Sequence, residues 1–335
     1  MPFSTCRSLL FLSAFLFLAA SCSKEPKQAP KAEVQQQQPV QAVVEPIVPE
    51  PLPPPPDPTK ILAGTTANML SDAEIAALAA PRMGAVWQTP YVGAIAVDAA
   101  TGNVRFENNA DKGCIPASMT KMMMLLIVQE AIESNKISIT DIVHVSERAY
   151  KTGGSQVYLD PRESFPLEDM LYALMIQSAN DAAVAIAEHL TGTCEAFVKV
   201  MNRRAERLGM KNTRFVTVHG LSGSKEMADV TTPRDMAILA TELCKHEEIF
   251  RYTGESFRVF RPHSGKPFEM RTHNPLLQKK MPGCDGLKTG YTRRAGYSIA
   301  ATVKRDNSRL IVVLMGCPDK ATRDKELQAI LSEAW

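Results

Sequence analysis

The chain has 335 residues, of which 45% are hydrophobic and 22% are charged, so it can bury the core of one large or two ordinary globular domains. Its 38 basic and 36 acidic residues are interspersed, and the formal net charge is only +2. This balance excludes the strongly basic surface of a nucleic-acid-binding protein, and no nucleic-acid partner is expected.

The N-terminus has the pattern of an export signal. Arg7 precedes a mostly apolar stretch at residues 9–20, which is shorter than the roughly 20 residues of a transmembrane helix. Residues 1–21 are therefore predicted to be a signal peptide, and the protein is expected in the periplasm or cell envelope. The letters "LAASC" resemble a bacterial lipoprotein signal, which implies lipidation of Cys22 and a membrane anchor; plain cleavage is the alternative.

Residues 22–60 are predicted to be a disordered linker. They are rich in Pro and Gln, including "QQQQ" and "PEPLPPPPDP", and such a segment can neither build a sheet nor bury a core. Residues 61–335 are then the globular domain. Its first predicted element is a short helix at 71–80, which opens with the Ser71-x-x-Glu74 capping pattern.

The remaining elements predict an α+β fold. Alternating apolar residues predict an N-terminal hairpin at 91–97 and 104–108, and apolar residues three or four apart predict helices in the middle. These helices span about 118–134, 167–176, 181–190, 195–208 and 232–245. Strands at 286–291, 297–304 and 309–317 and a final helix at 319–333 follow. The last two strands have a hairpin-length connection, so we expect an antiparallel sheet flanked by helices.

Three short patterns in this framework combine hydroxyl, amine and amide groups. They are, in chain order, Ser118-x-x-Lys121, Ser178-Ala179-Asn180 and Lys288-Thr289-Gly290. The first two are weak alone and the third is rarer, and they fall at a helix start, between two helices and on a strand near the C-terminus. The set resembles the S-x-x-K, S-x-N and K-T-G motifs of serine penicillin-binding proteins and serine β-lactamases.

Longer segments resemble one branch of that superfamily. "PASMTKMMM", "QSANDAAVAIAEHLTG", "NTRFVTVHGL" and "DGLKTGYTRRAGYS" are similar to low-molecular-mass D-alanyl-D-alanine carboxypeptidases. The resemblance implies a DD-peptidase catalytic domain at 61–335 with the transpeptidase fold of serine β-lactamases. It further implies a serine peptidase that removes the terminal D-alanine from peptidoglycan stem peptides through an acyl-enzyme, and that penicillins acylate it. No metal or organic cofactor is implied.

The residues of the first motif suit nucleophilic catalysis. Positions i and i+3 share a helix face, so Ser118 and Lys121 can lie within hydrogen-bonding reach. A neutral lysine can take the serine proton, which requires a lowering of its pKa by about 3 units. Burial against the methionine-rich helix and repulsion from a second cation, for which Lys288 is the candidate, would both lower it. A solvated helix lysine is the alternative interpretation of an isolated motif.

The other residues suit the remaining tasks of an acyl transfer. The backbone N–H of Ser118 at a helix start can stabilise an oxyanion, and the resemblance implies Tyr291 as the second donor. It also implies that Ser178 passes a proton to the leaving amine and that Asn180 holds the substrate amide. For these two residues a polar helix cap is the structural alternative.

The third motif suits a substrate with a free C-terminus. Lys288 and Thr289 supply a cation and a hydroxyl for a terminal carboxylate, and Gly290 leaves room for an extended peptide beside the strand. An ordinary strand end with a solvated lysine is the alternative.

Alternative functions remain open at this stage. A D,D-endopeptidase, a β-lactamase and a non-catalytic penicillin-binding sensor would carry the same motifs. The segment "TRFVTVHGLSG" lacks the glutamate of class A β-lactamases, and the six histidines form no HxH or HExxH zinc pattern. His219 is interpreted as structural, and Met122, Met123 and Met124 as core residues.

Overall fold

The computed structural model describes residues 90–221 and 228–335. The predicted signal peptide, the linker, Cys22 and the helix at 71–80 lie outside the described residues. No helix in the described ranges combines the length and the apolar composition needed to span a bilayer.

The described part of the chain contains strands at both ends and helices between them. The strands are β1 (Gly93–Asp98), β2 (Val104–Asn108), β3 (Ile142–His144), β4 (Ser164–Pro166), β5 (Phe257–Phe260), β6 (Phe268–Arg271), β7 (Cys284–Thr292), β8 (Gly296–Arg305) and β9 (Ser308–Cys317). The α-helices are α1 (Lys121–Glu133), α2 (Glu147–Tyr150), α3 (Leu167–Tyr172), α4 (Asn180–Thr191), α5 (Cys194–Arg207), α6 (Pro233–Leu243), α7 (Phe250–Thr253), α8 (Pro275–Gln278) and α9 (Lys320–Ala334). Shorter turns of other helix types are the 3₁₀ segments Ala117–Thr120 and Glu247–Ile249 and the π-helical segment Ala173–Gln177.

The predicted helices and strands of the described ranges agree with this list to within about three residues at each end. One difference concerns the helix expected to start at Ser118, which begins as a 3₁₀ turn and becomes α-helical only at Lys121. The hairpins β3–β4 and β5–β6 were not predicted, because strands of three or four residues carry too little alternation to be recognised.

A five-stranded sheet in the order β2-β1-β9-β8-β7 forms the centre of the fold. All its strand pairs are antiparallel, which confirms the predicted α+β class with an antiparallel sheet. Residues of β9 alternate between the two faces: Ile311 and Val313 pack with the large helical core, whereas Val312 and Leu314 pack under α9. The sheet is therefore covered by helices on both faces.

Helix α1 lies inside the larger core. Its residues from Met122 to Val128 are buried on every side. A helix that is apolar all round is stable only when other elements surround it. The three methionines are core residues, as the sequence indicated, and the first residue of this helix, Lys121, is carried into the interior with them.

Candidate active site

The 3₁₀ turn before α1 places a hydroxyl beside the buried lysine. Ser118 is half-buried within this turn, and its Oγ lies 3.2 Å from Nζ of Lys121. Ala117 immediately before it has a φ of 49°, so the backbone enters the turn through the left-handed region. The sequence spacing thus brings the two side chains together, although through a 3₁₀ turn rather than an α-helix.

The amine of Lys121 contacts three oxygen atoms. Besides Ser118 Oγ, it lies 2.7 Å from Oδ1 of Asn180 and 2.9 Å from the carbonyl oxygen of His219. Asn180 Nδ2 donates to the Gly153 carbonyl at 2.8 Å, which fixes the orientation of its amide. Both amide-type oxygens can only accept, so they take the two N–H bonds of a neutral amine. The lone pair of that amine is left for the Ser118 hydroxyl.

The surroundings of Lys121 favour this neutral form. The side chain is fully buried, and burial together with the positive charge of Lys288 holds its pKa well below the usual range. Asp229 and Asp181 oppose the effect by raising the pKa. The direction of the shift and both of its causes agree with the sequence-based expectation.

The second motif, Ser178-Ala179-Asn180, lies at the start of α4. Ser178 follows the π-helical segment with a φ of 64°, and its buried hydroxyl has no hydrogen-bond partner among the described residues. A serine in the left-handed region costs on the order of 1 kcal/mol, and an unsatisfied buried hydroxyl adds to that cost. Neither Ser178 nor Asn180 makes a side-chain capping bond at the start of α4, so the helix-cap interpretation is not supported.

The third motif lies on β7, the edge strand of the central sheet. Thr289 and Gly290 line the cavity described below, and the exposed ring of Tyr291 stacks on that of Tyr297 with centroids 4.2 Å apart. Lys288 is buried and contacts the Thr289 carbonyl at 3.2 Å, and burial lowers its pKa to about 7. Lys288 is therefore not the solvated strand-end lysine of the alternative interpretation.

Two glycines allow the backbone to approach the nucleophile. A Cβ at Gly290 would lie 2.5 Å from the carbonyl oxygen of Pro116, and one at Gly220 would lie 1.9 Å from that of Ala117. Gly290 was expected to make room for substrate; in the structure its missing side chain makes room for the turn that carries Ser118. Strand β7 and the His219 loop can therefore both contact this turn.

These groups surround one cavity of about 450 Å³. Residues of all three motifs line it, together with two cations from the start of α9 that the sequence analysis did not identify, Lys320 and Arg323. Arg323 is buried and donates to Asp324 Oδ1 at 2.6 Å. A larger hollow of about 520 Å³ lies beside Tyr252, and no motif residue lines it. The smaller cavity is therefore the candidate active site.

His219 contributes through its backbone rather than its imidazole. Its carbonyl oxygen holds Lys121, and its Nδ1 accepts the N–H of Leu221 at 3.1 Å. Burial lowers the pKa of the imidazole to about 3, so the ring is neutral near pH 7. The geometry agrees with the structural role inferred for this residue.

Ser118, which contacts the buried Lys121 amine, lines one cavity together with Ser178, Asn180 and Arg323. This arrangement on an antiparallel sheet covered by helices is typical of serine penicillin-binding proteins. The family model described as D-alanyl-D-alanine carboxypeptidase, peptidase S11, matches residues 88–319. The chain belongs to this family.

Individual comparisons support the same assignment. The chain is similar to D-alanyl-D-alanine carboxypeptidase DacF of Bacillus subtilis, with 40% identity over 72% of this chain and 61% of the relative. It is 36% identical to DacC of Escherichia coli over 71% of this chain and 59% of the relative. It thus spans about 60% of the length of these curated relatives. The ampicillin-bound structure of penicillin-binding protein D2 from Listeria monocytogenes is similar with a TM-score of 0.65 and 27% identity, over 75% of this chain and 99% of that one.

Proposed function

We propose that this chain is a serine-type D-Ala-D-Ala carboxypeptidase acting on peptidoglycan stem peptides. The observation that carries the proposal is the fully buried Lys121 amine, which lies 2.7 Å from Asn180 Oδ1, 2.9 Å from the His219 carbonyl oxygen and 3.2 Å from Ser118 Oγ. Such an amine is a base positioned on a nucleophile, and no histidine is required.

Acylation begins when Ser118 Oγ attacks the carbonyl carbon of the penultimate D-alanine and its proton passes to Lys121 Nζ. The bond to the terminal D-alanine then breaks, and the leaving amine receives a proton. The hydroxyl of Ser178, which has no hydrogen-bond partner in the described part of the chain, lines the same cavity and is suited to pass that proton. Water, activated by Lys121, afterwards hydrolyses the ester and restores Ser118.

The oxyanion of the tetrahedral intermediate needs fixed donors. We assign them to the backbone N–H groups of Ser118 and Tyr291. Gly290 brings β7 against the Ser118 turn, and an edge strand has backbone N–H groups that are not used within the sheet. The same free edge can accept an extended peptide as an additional strand.

We assign recognition of the free C-terminus of the substrate to Thr289 and Arg323. Thr289 supplies a hydroxyl and Arg323 a guanidinium that both line the cavity, while Lys288 lies buried behind Thr289. Arginine binds carboxylates through two parallel hydrogen bonds, which suits a terminal D-alanine. Asn180, already bound to Lys121, also lines the cavity, and we assign it to contact with the substrate amide.

β-Lactams imitate the terminal dipeptide, so we propose that they acylate the same serine. The similar Listeria protein has been crystallised with ampicillin, which supports this extension. A peptidoglycan substrate requires an exported enzyme, and the N-terminal sequence supports export to the cell envelope. A lipid on Cys22 followed by the linker at 22–60 would anchor the domain to the membrane.

The test compares wild type with Ser118→Ala on a pentapeptide ending in D-Ala-D-Ala. Wild type should release free D-alanine and give one penicillin adduct, located by mass spectrometry on the Ser118 peptide. Ser118→Ala should do neither, whereas the exposed control Ser134→Ala should behave as wild type. Cleavage of cross-linked dimers without D-alanine release would identify an endopeptidase, and faster turnover of nitrocefin would identify a β-lactamase. A penicillin adduct without turnover of the pentapeptide, the cross-linked dimers or nitrocefin would indicate a sensor.

A further inference from the structure

Asp229 is a buried carboxylate that accepts four hydrogen bonds from the described residues. Oδ1 accepts the backbone N–H groups of Val216 at 2.7 Å and Thr217 at 2.9 Å. Oδ2 accepts the hydroxyls of Thr120 at 2.8 Å and Thr217 at 2.9 Å. Burial raises the pKa of Asp229 above its usual value, although these donors lower it in part. The two backbone N–H groups can only donate to Oδ1, and all four contacts favour the ionised form against the effect of burial.

The contacts of Asp229 join the two segments that hold Lys121. Thr120 directly precedes Lys121 in the chain, so its bond to Asp229 fixes the start of α1. Thr217 Oγ1 donates to Asp229 and accepts the N–H of Gly220 at 2.7 Å. Between Thr217 and Gly220 lies His219, whose carbonyl oxygen accepts from Lys121.

Asp229 also acts on the charge of Lys121. The groups that affect the pKa of this amine come from four elements: Lys288 on β7 lowers it, Asp181 on α4 and Asp229 before α6 raise it, and the adjacent His219 is neutral. When Lys121 takes the serine proton it becomes an ammonium in a buried site, where an opposite charge stabilises it strongly.

We propose that Asp229 is a positioning residue for the Lys121 base, holding both of its flanking segments and stabilising the ammonium that forms during acylation. This inference rests on the proposed function. The charge of Asp229 offsets part of the effect of burial and of Lys288, so that Lys121 stays basic enough to accept a proton. A base with too low a pKa would be neutral but would not remove the serine proton efficiently.

The experiment measures the rate of Ser118 acylation by a fluorescent penicillin from about pH 5 to about pH 10. In Asp229→Asn the charge that raises the pKa of Lys121 is lost. The acid limb of the profile should therefore move down by about one pH unit. The plateau rate should fall about tenfold, because the amine is a weaker base. In Thr120→Val the plateau should fall several-fold while the Asp229 charge remains.

Asp235→Asn is the matched control. Asp235 is similarly buried and accepts the Asn212 N–H at 2.9 Å and the Thr213 hydroxyl at 2.7 Å, whereas the charges that shift the pKa of Lys121 are those of Lys288, Asp229 and Asp181. Its variant should lose stability in thermal unfolding and keep the wild-type acid limb.

Three outcomes decide between the hypotheses. If Asp229→Asn folds and its acylation profile has the same acid limb as wild type, the inference about Asp229 is wrong. The carboxypeptidase proposal would be unaffected by that result. If Asp229→Asn does not fold, Thr120→Val decides, and a wild-type plateau there rejects the positioning role. A wild type that is not acylated at Ser118 would refute the proposed function itself.

Discussion

Replacement of Lys288 by methionine tests the electrostatics of the site most directly. Lys288 is buried on β7, and burial lowers its pKa from 10.5 to about 7. Methionine has a similar length and no charge, so it can occupy the same volume without the cost of desolvating an amine.

The size of the effect follows from this pKa. A lowering from 10.5 to about 7 corresponds to about 4 kcal/mol of lost folding free energy at pH 7. Methionine cannot donate to the Thr289 carbonyl, which removes about 1 kcal/mol of stabilisation. Lys288→Met should therefore be more stable than wild type by about 3 kcal/mol at pH 7.

The gain should depend on pH with a defined sign. Between about pH 7 and pH 10.5 the unfolded chain keeps a proton on Lys288 that the folded chain has lost, so wild-type stability rises with pH in this window. The destabilisation by Lys288 is complete below about pH 7 and disappears near pH 10.5. The advantage of Lys288→Met should shrink accordingly.

Urea unfolding near pH 7 and near pH 10 measures both effects. Lys304→Met, which removes an exposed lysine from β8, controls for the loss of one positive charge. The acid limb of penicillin acylation should move to higher pH in Lys288→Met, because the pKa of Lys121 no longer suffers repulsion from Lys288. A variant that is less stable than wild type by the same amount at both pH values would refute the electrostatic argument.

Two further predictions follow from the packing and charge of the cavity. Gly220→Ala should lose about 3 kcal/mol of stability and most of its acylation rate, since the new Cβ would lie 1.9 Å from the Ala117 carbonyl oxygen. Gly192 has a φ of 78°, similar to the 87° of Gly220, but a Cβ added there would have no described atom within 4 Å. Gly192→Ala should therefore lose only about 1 kcal/mol of stability. Equal losses for the two variants in urea unfolding would contradict the steric explanation. Arg323→Gln should raise KM at least about tenfold for a peptide with a free carboxylate. An amidated peptide should be insensitive to it, and equal changes for both peptides would reject the assignment.

The fold and most of the candidate site were predictable from local sequence. Apolar periodicity identified the helices and the central strands, because burial of one face or of all faces leaves a regular pattern. The motif residues Ser118, Lys121 and Asn180 could be named because three short motifs occur in an order and placement that resemble a known family. The uninterrupted apolar run after Lys121 already indicated that its amine enters a core.

Tertiary structure alone decided how that amine behaves. Lys121 contacts Asn180, 59 positions away, and the carbonyl of His219, 98 positions away, while Thr120 is joined to Asp229 across 109 positions. Arg323 lines the cavity together with Thr289, which is distant from it in the chain, and no short pattern marks it. A pKa depends on burial and on every nearby charge, and both arise from packing between distant segments. The local sequence thus identifies the residues of the site, but the basicity of Lys121 is a property of the folded chain.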